Sequence, residues 1–332
     1  MEIFTPTLIK VLAILAIIPF GYFLKQKKVV HEKYAPLLRE LFVNVALPAT
    51  VFVAFSSIEL KKEYIYFPLI GLGVVVGFAL ISFFIANVLK LKKTVRTVFL
   101  IIMPTLAPAT VAYPFFMSLY GEQGLVSISL FNVGNILFLF SVEHFIISKL
   151  SNHGAKIGRF LKDFLKEPVI WATIAGLLMS YFKIRIQFMH DFFQVVSNAT
   201  VFIIMMMLGI SLHWKTSSLK YAIPMVLTKT GVGLLLGYWF TTLFGFTGLD
   251  RLSLIIFSLV PPSAVTYIFV AAESKLSAAF EAELLAIALP IGAVLTGILI
   301  TLQDAVLMQS VWYLGIGCTL AGLITLRFFG KK

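Results

Sequence analysis

The chain has 332 residues, of which 60% are hydrophobic and only 13% are Asp, Glu, Lys or Arg, too little charge to cover a soluble domain of this length. The net charge of +12 does not point to nucleic acid, because the basic residues fall in short loops between apolar runs, where the positive-inside rule accounts for them. A single cysteine, Cys318, excludes an internal disulfide or a cysteine cluster, and the five histidines lack ligand spacing, so neither metal nor cofactor is expected.

Apolar runs of about 20 residues, the length that crosses a bilayer core as helix, recur throughout, and mean hydropathy is +0.99. In chain order, hydropathy predicts eleven spans at 7–24, 34–56, 65–89, 97–119, 124–148, 168–182, 192–212, 221–244, 252–272, 279–302 and 306–328. The first is read as a span, not a cleaved signal, because Glu2 and Lys10 precede it in place of a basic region and no small-residue cleavage site follows. Basic residues cluster after odd-numbered spans: Lys25, Lys27, Lys28 and Lys33; Lys90, Lys92, Lys93 and Arg96; Lys149, Lys156, Arg159, Lys162 and Lys166; Lys215 and Lys220. This predicts a multi-pass protein of the cell membrane with its N-terminus outside and its C-terminus, bearing Arg327, Lys331 and Lys332, in the cytoplasm. Between the fifth and sixth spans, Ile157, Phe160, Leu161, Phe164 and Leu165 recur at helical spacing opposite Lys and Arg, the pattern of a short helix lying on the membrane surface.

The two halves repeat. "PATVAYPF" at 108–115 lies on "PSAVTYIF" at 262–269, the same offset puts Asn44 on Asn198, and "GLGVVVG" at 71–77 lies on "GVGLLLG" at 231–237 at a slightly larger offset. The chain therefore divides into a first five-span repeat (1–150), a linker (151–167), a second five-span repeat (168–304), and an extra span with a basic tail (305–332). An odd number of spans per repeat makes the halves face opposite ways, an inverted-topology repeat. The expected fold is an all-α polytopic membrane protein of 5+5 inverted topology, with broken, crossing fourth and ninth helices and an added eleventh.

The breaks come from proline. Pro104, Pro108 and Pro114 interrupt the fourth span and Pro261 and Pro262 the ninth, each removing a backbone donor where lipid supplies none. Either they only kink their helices, or the half-helix ends meet and present free N–H groups to an anion. The repetition at equivalent places favours the second, with Pro108 and Pro262 as break points and Thr110, Tyr113, Ser263 and Thr266 (beside Tyr267) as groups that bond a substrate or cap the freed backbone. Asn132 and Asn135, in "FNVGN", must face protein or a cavity, as substrate contacts or as glue between helices. Lys229 is the sole basic residue deep inside a predicted span; it would neutralise an anion or pair with Glu143 or Glu283, whereas Lys10 lies near an end and snorkels. Glu143, His144 and Glu283 are the candidates for a proton or charge relay, and the glycines at 71, 73, 77, 231, 233 and 237 are read as close packing between helices.

These residues resemble a known family, the auxin efflux carriers, whose bacterial members include malonate-type permeases and to which the plant auxin carriers are distantly similar. "LFVNVALPATVF" is similar to its second-helix motif and "YPFFMSLYGEQGLVSISLFNVGNILFLF" to its fourth- and fifth-helix signature. "LKEPVIWATIAGLLMSYF", "MMMLGISL", "LVPPSAVTYIFVAAES" and "IALPI" resemble its sixth, seventh, ninth and tenth helices. The resemblance implies a scaffold of helices 1, 2, 6 and 7, a transport domain of helices 3–5 and 8–10, elevator-type alternating access, and homodimers formed through the scaffold, at helices 2 and 7. It also implies a small carboxylate bound at the crossing of helices 4 and 9. Where many members carry an Asn at the first break, this chain has Ala107, which leaves backbone N–H groups, Thr110 and Tyr113 to hold a carboxylate. Three other classes compete. A sodium-coupled carrier of the bile-acid symporter kind is disfavoured, since no acidic residue flanks Pro108 or Pro262. A receptor without transport needs no inverted repeat. An intramembrane enzyme needs a His/Asp/Glu constellation that the sequence lacks.

Overall fold

The computed structural model describes residues 4–58, 61–139, 165–212, 216–263, 275–301 and 305–330, and among these every regular element is helical. In chain order they are α1 (Phe4–Gln26), α2 (Ala35–Leu41), α3 (Leu47–Ser56), α4 (Phe67–Val88), α5 (Lys93–Ile102), α6 (Pro108–Phe138) and α7 (Pro168–Tyr181), then α8 (Gln187–Asn198), α9 (Thr200–Ser211), α10 (Thr216–Leu243), α11 (Gly248–Leu259), α12 (Lys275–Thr301) and α13 (Ala305–Gly330). Proline sits at the first or second position of α2, α3, α4, α6 and α7; at the starts of α6 and α7, where the preceding residue is not helical, its missing N–H would have had no helical partner. The same residue type that breaks the fourth span thus stands near the start of five helices.

Seven helical runs among the described residues are long and apolar enough to cross a membrane, at 7–26, 32–56, 62–88, 187–211, 220–243, 284–301 and 310–328. They correspond to the first, second, third, seventh, eighth, tenth and eleventh expected spans. The other four are not among these runs. The sixth is a 14-residue helix, α7. The fourth and ninth stop being helical at Met103 and Val260, and residues 140–148 of the fifth, like all but Leu165 of the surface helix expected at 157–165, lie outside the described residues. Two spans carry local defects that hydropathy does not see: a π-helical turn, Phe42–Ala46, joins α2 to α3, and Ala199 separates α8 from α9.

The expected "YGEQ" loop is reduced to one sharp break inside α6, at Gly121 (φ 63°, ψ −153°). A side chain is strongly disfavoured in that backbone region. A Cβ there would meet nothing within 4 Å, so conformation and not space calls for glycine.

The helices sort into two packed groups. In one, α1 lies on α9, α3 on α7 and α8, and α2 on α9; in the other, α4 lies on α6, and α10 on α11 and α13. The groups meet where α1 touches α12 and α3 touches α6. Close backbone approach makes the second group dense. A Cβ on Gly71 would lie 2.0 Å from the Phe131 carbonyl oxygen, and one on Gly233 would lie 2.2 Å from that of Ser258, so α4–α6 and α10–α11 pack at glycine distance. Phe67, Phe131 and Phe257 are buried there, with the first two rings stacked 4.7 Å apart. Large apolar side chains on α1, α4, α7, α8 and α13 face outward instead, among them Leu80, Phe84, Tyr181, Phe188, Val195 and Phe328, as expected for a surface solvated by lipid.

Candidate functional site

The two interruptions meet inside the second group. α5 ends at Ile102, the chain runs without helix to Ala107, and α6 restarts at Pro108. α11 ends at Leu259, and Val260 turns extended (φ −55°, ψ 149°) into Pro261. Ala107 (φ −115°, ψ 54°) and Val260 each precede a proline, whose ring pushes the preceding residue out of the helical region. The Ala107 N–H donates to the Pro261 carbonyl at 2.9 Å, so one break satisfies the other.

Several of the remaining freed groups of the first break are met by side chains. Asn135 makes a two-point clamp on the Leu106 peptide: its Nδ2 donates to the Leu106 carbonyl at 3.0 Å, and the Leu106 N–H donates to its Oδ1 at 3.2 Å. Its Nδ2 also donates to Asn132 Oδ1 at 3.0 Å, and Asn132 Nδ2 donates to the Tyr113 hydroxyl at 3.3 Å. Lys229, from α10, is 2% exposed. Its Nζ donates to the carbonyls of Ile102, Met103 and Thr105 at 3.2, 2.7 and 2.8 Å and lies 4.7 Å from the centre of the Phe78 ring. The Ile102 carbonyl also accepts from Thr105 Oγ1 at 3.3 Å. A cation at the C-terminal end of a helix, bonded to carbonyls beyond its helical ladder, is favoured by both dipole and hydrogen bonding.

The start of α6 is different. Ala107 supplies no side-chain cap, and the first helical bond within reach runs from the Val111 N–H to the Ala107 carbonyl. The N–H groups of Ala109 and Thr110 therefore precede the helical ladder. Both residues are half-buried between buried Pro108 and Val111, so this end is accessible inside an otherwise closed region.

The structure brings together most of the residues singled out from sequence. Pro108 is buried as the first residue of α6, Thr110 lies in its first turn, and Tyr113 is buried one turn on, against Asn132. Lys229 and Pro262 line one small cavity with Pro261, Thr230 and Gly292, next to buried Ser263. Thr266 and Glu143 lie outside the described residues; Glu283 belongs to α12, with its side chain outside them too. Three features carried no sequence signal: the Phe78 ring beneath Lys229; Gly292, where a Cβ would lie 2.5 Å from Pro261 Cδ; and Asp250, which accepts a hydrogen bond from Ser127 Oγ and ties α11 to α6. More open cavities occur at the α3–α7–α8 corner, lined by Ser56, Ser57, Arg185 and His190. There His190 Nε2 is 3.1 Å from Ser57 Oγ and 3.7 Å from Glu122 Oε1, and none of the lining residues belongs to either break.

A chain whose described residues are all-helical with repeated apolar spans, and in which the end of α11 meets the break between α5 and α6 within the packed interior, has the build of a polytopic membrane transporter. The family comparison gives the same class: the chain matches the family model described as "membrane transport protein" over residues 6–300 and belongs to that family, the one its auxin-efflux-carrier motifs resemble. It is similar to an uncharacterized transporter of Methanocaldococcus jannaschii, 23% identical over 226 residues, which cover 64% of this chain and 70% of the relative. It is also similar to an uncharacterized transporter of Methanothermobacter thermautotrophicus, 23% identical over 228 residues, covering 68% and 74%.

Proposed function

We propose that this protein is a secondary transporter of small organic anions, which binds a carboxylate at the junction of the two breaks. The observation that carries the reading is the accessible first turn of α6 beside the Ala107–Pro261 contact. Two backbone N–H groups at a helix N-terminus suit a carboxylate, with the Thr110 hydroxyl as a third donor and Ser263 across the junction. Lys229 adds a fixed positive charge to the same region, acting through its field and not by contact. The polar side chains of Asn132, Asn135 and Tyr113 hold the unwound backbone in place around the site. The pairing of the breaks supports an inverted repeat whose interrupted helices cross, and the two helix groups support an elevator-type movement of the break-bearing group against the other.

Thermal unfolding of the purified protein against a panel of mono- and dicarboxylates tests this, because a ligand that binds the folded state raises its apparent stability. A carboxylate is expected to raise the transition in wild type, to do so less in Thr110→Val, and to exchange across proteoliposome membranes. Shifts from matched amides as large as those from the carboxylates would overturn anion binding, as would no shift from any of them.

A further inference from the structure

The three carbonyls that Lys229 engages are arranged as a cation site. Unwound backbone at the end of a broken helix presents carbonyl oxygens of the kind that coordinate monovalent cations in membrane proteins. Here the oxygens of Ile102, Met103 and Thr105 converge on one nitrogen within 3.2 Å, and the Phe78 ring lies on the same charge. The stem reaches this point from a different helix, α10, and α10 meets α11, the helix that runs into the second break. The ammonium therefore does for the end of α5 what a bound ion would do. It neutralises three inward-facing carbonyls, and it ties the first break to the wall of the second.

We propose that Lys229 is a tethered cation occupying a monovalent-cation site built from the α5 carbonyls, and that cutting the tether turns the site into one for a free, ammonium-sized cation such as K⁺ or a short alkylammonium. Lys229→Ala removes three methylenes and the ammonium, a hole with the shape of propylammonium, while the carbonyls remain. The proposal rests on the transporter reading only for its consequence, a carrier whose own lysine replaces a coupling ion. The site itself is tested without transport.

The probes are KCl, ethylammonium chloride and propylammonium chloride, compared with choline chloride at equal concentration in thermal unfolding of the purified protein. In Lys229→Ala the small cations are expected to raise the transition by about 2–4 °C over choline, the shift that roughly tenfold occupancy over dissociation gives in a chain of this size. Wild type, whose site is filled, is expected not to respond. Equal behaviour of all four salts in Lys229→Ala overturns the proposal, and so does a matching shift in wild type. Should Lys229→Ala yield no folded protein, Lys229→Arg and Lys229→Met decide: a folded Arg variant with a Met variant that melts far lower supports a cation requirement, and equal stability of the two overturns it. A carboxylate panel without effect would leave these salt shifts unchanged, so the two readings fail separately.

Discussion

The two breaks face one problem and solve it by different means. In the first, residues 103–107 keep most of their donors and acceptors, and other elements supply partners for many of them: Lys229 takes the carbonyls of Met103 and Thr105 together with that of Ile102, Asn135 takes both groups of Leu106, and the Ala107 N–H goes to the Pro261 carbonyl. In the second, Pro261 and Pro262 have no N–H at all, so two donors that would need partners do not exist. The Val260 N–H still bonds back to Ile256, and the Pro261 carbonyl accepts from Ala107. A break can be made tolerable by supplying partners or by deleting donors. The first route needs long polar side chains and is costly to disturb; the second acts locally, and the first break adds it at Pro104 and Pro108.

The largest effect should therefore come from removing a partner at the first break. Asn135→Leu keeps the branched outline, at a larger volume, and orphans both groups of Leu106. Each buried group left unpaired costs about 1–3 kcal/mol, so a loss of roughly 2–6 kcal/mol is expected. Asn132→Leu removes only side-chain partners and should cost about 1 kcal/mol. Denaturant or thermal unfolding of the two purified variants checks the order. An Asn132 variant as damaged as the Asn135 variant would show that the side-chain relay, and not the backbone clamp, holds the break.

The second break should respond to the opposite change, the addition of a donor. Pro262→Ala places an N–H among buried residues where no described residue is set to accept it, at a cost of about 1–3 kcal/mol. Hydrogen exchange at that new amide separates this account from simple loosening. A slowly exchanging, well-paired amide with undiminished stability would mean that the second break can also be served by partners, and the contrast would collapse.

Sequence made the positions of the breaks legible and left their repair hidden. Prolines 104, 108, 261 and 262 locate both interruptions because proline acts locally, on its own residue and the one before. Lys229 stands out because a charge inside a span is rare. Its partners could not be read, because they are backbone carbonyls, which every residue carries. The same limit hides the π-helical turn before α3 and the pairing of Ala107 with Pro261. Side-chain pairs are more visible: "ATVF" occurs at 49–52 and again at 199–202, and its two threonines meet, with Thr50 Oγ1 2.7 Å from Thr200 Oγ1 and Ser197 Oγ donating to Thr50 at 3.0 Å. Hydropathy counted the fourth and ninth spans as continuous because it weighs side chains and is blind to a chain that stops being helical while staying apolar.

Pro108 sharpens the contrast from its small end. It is a proline at a break, as Pro262 is, yet it occupies the first position of α6, where an N–H has no helical acceptor and the neighbouring Ala109 and Thr110 are half-buried, not sealed. Pro108→Ala restores a donor that needs nothing new, and it loses only the restraint that proline places on the unfolded chain, about 0.4–1 kcal/mol. Unfolding measured side by side should rank Pro262→Ala well below Pro108→Ala in stability. If the α6 start is the anion site, the extra N–H at position 108 should leave carboxylate-induced stabilisation intact or raise it. A Pro108→Ala variant that folds stably but no longer responds to any carboxylate that shifts wild type would show that the ring itself, and not the backbone donors behind it, shapes the site.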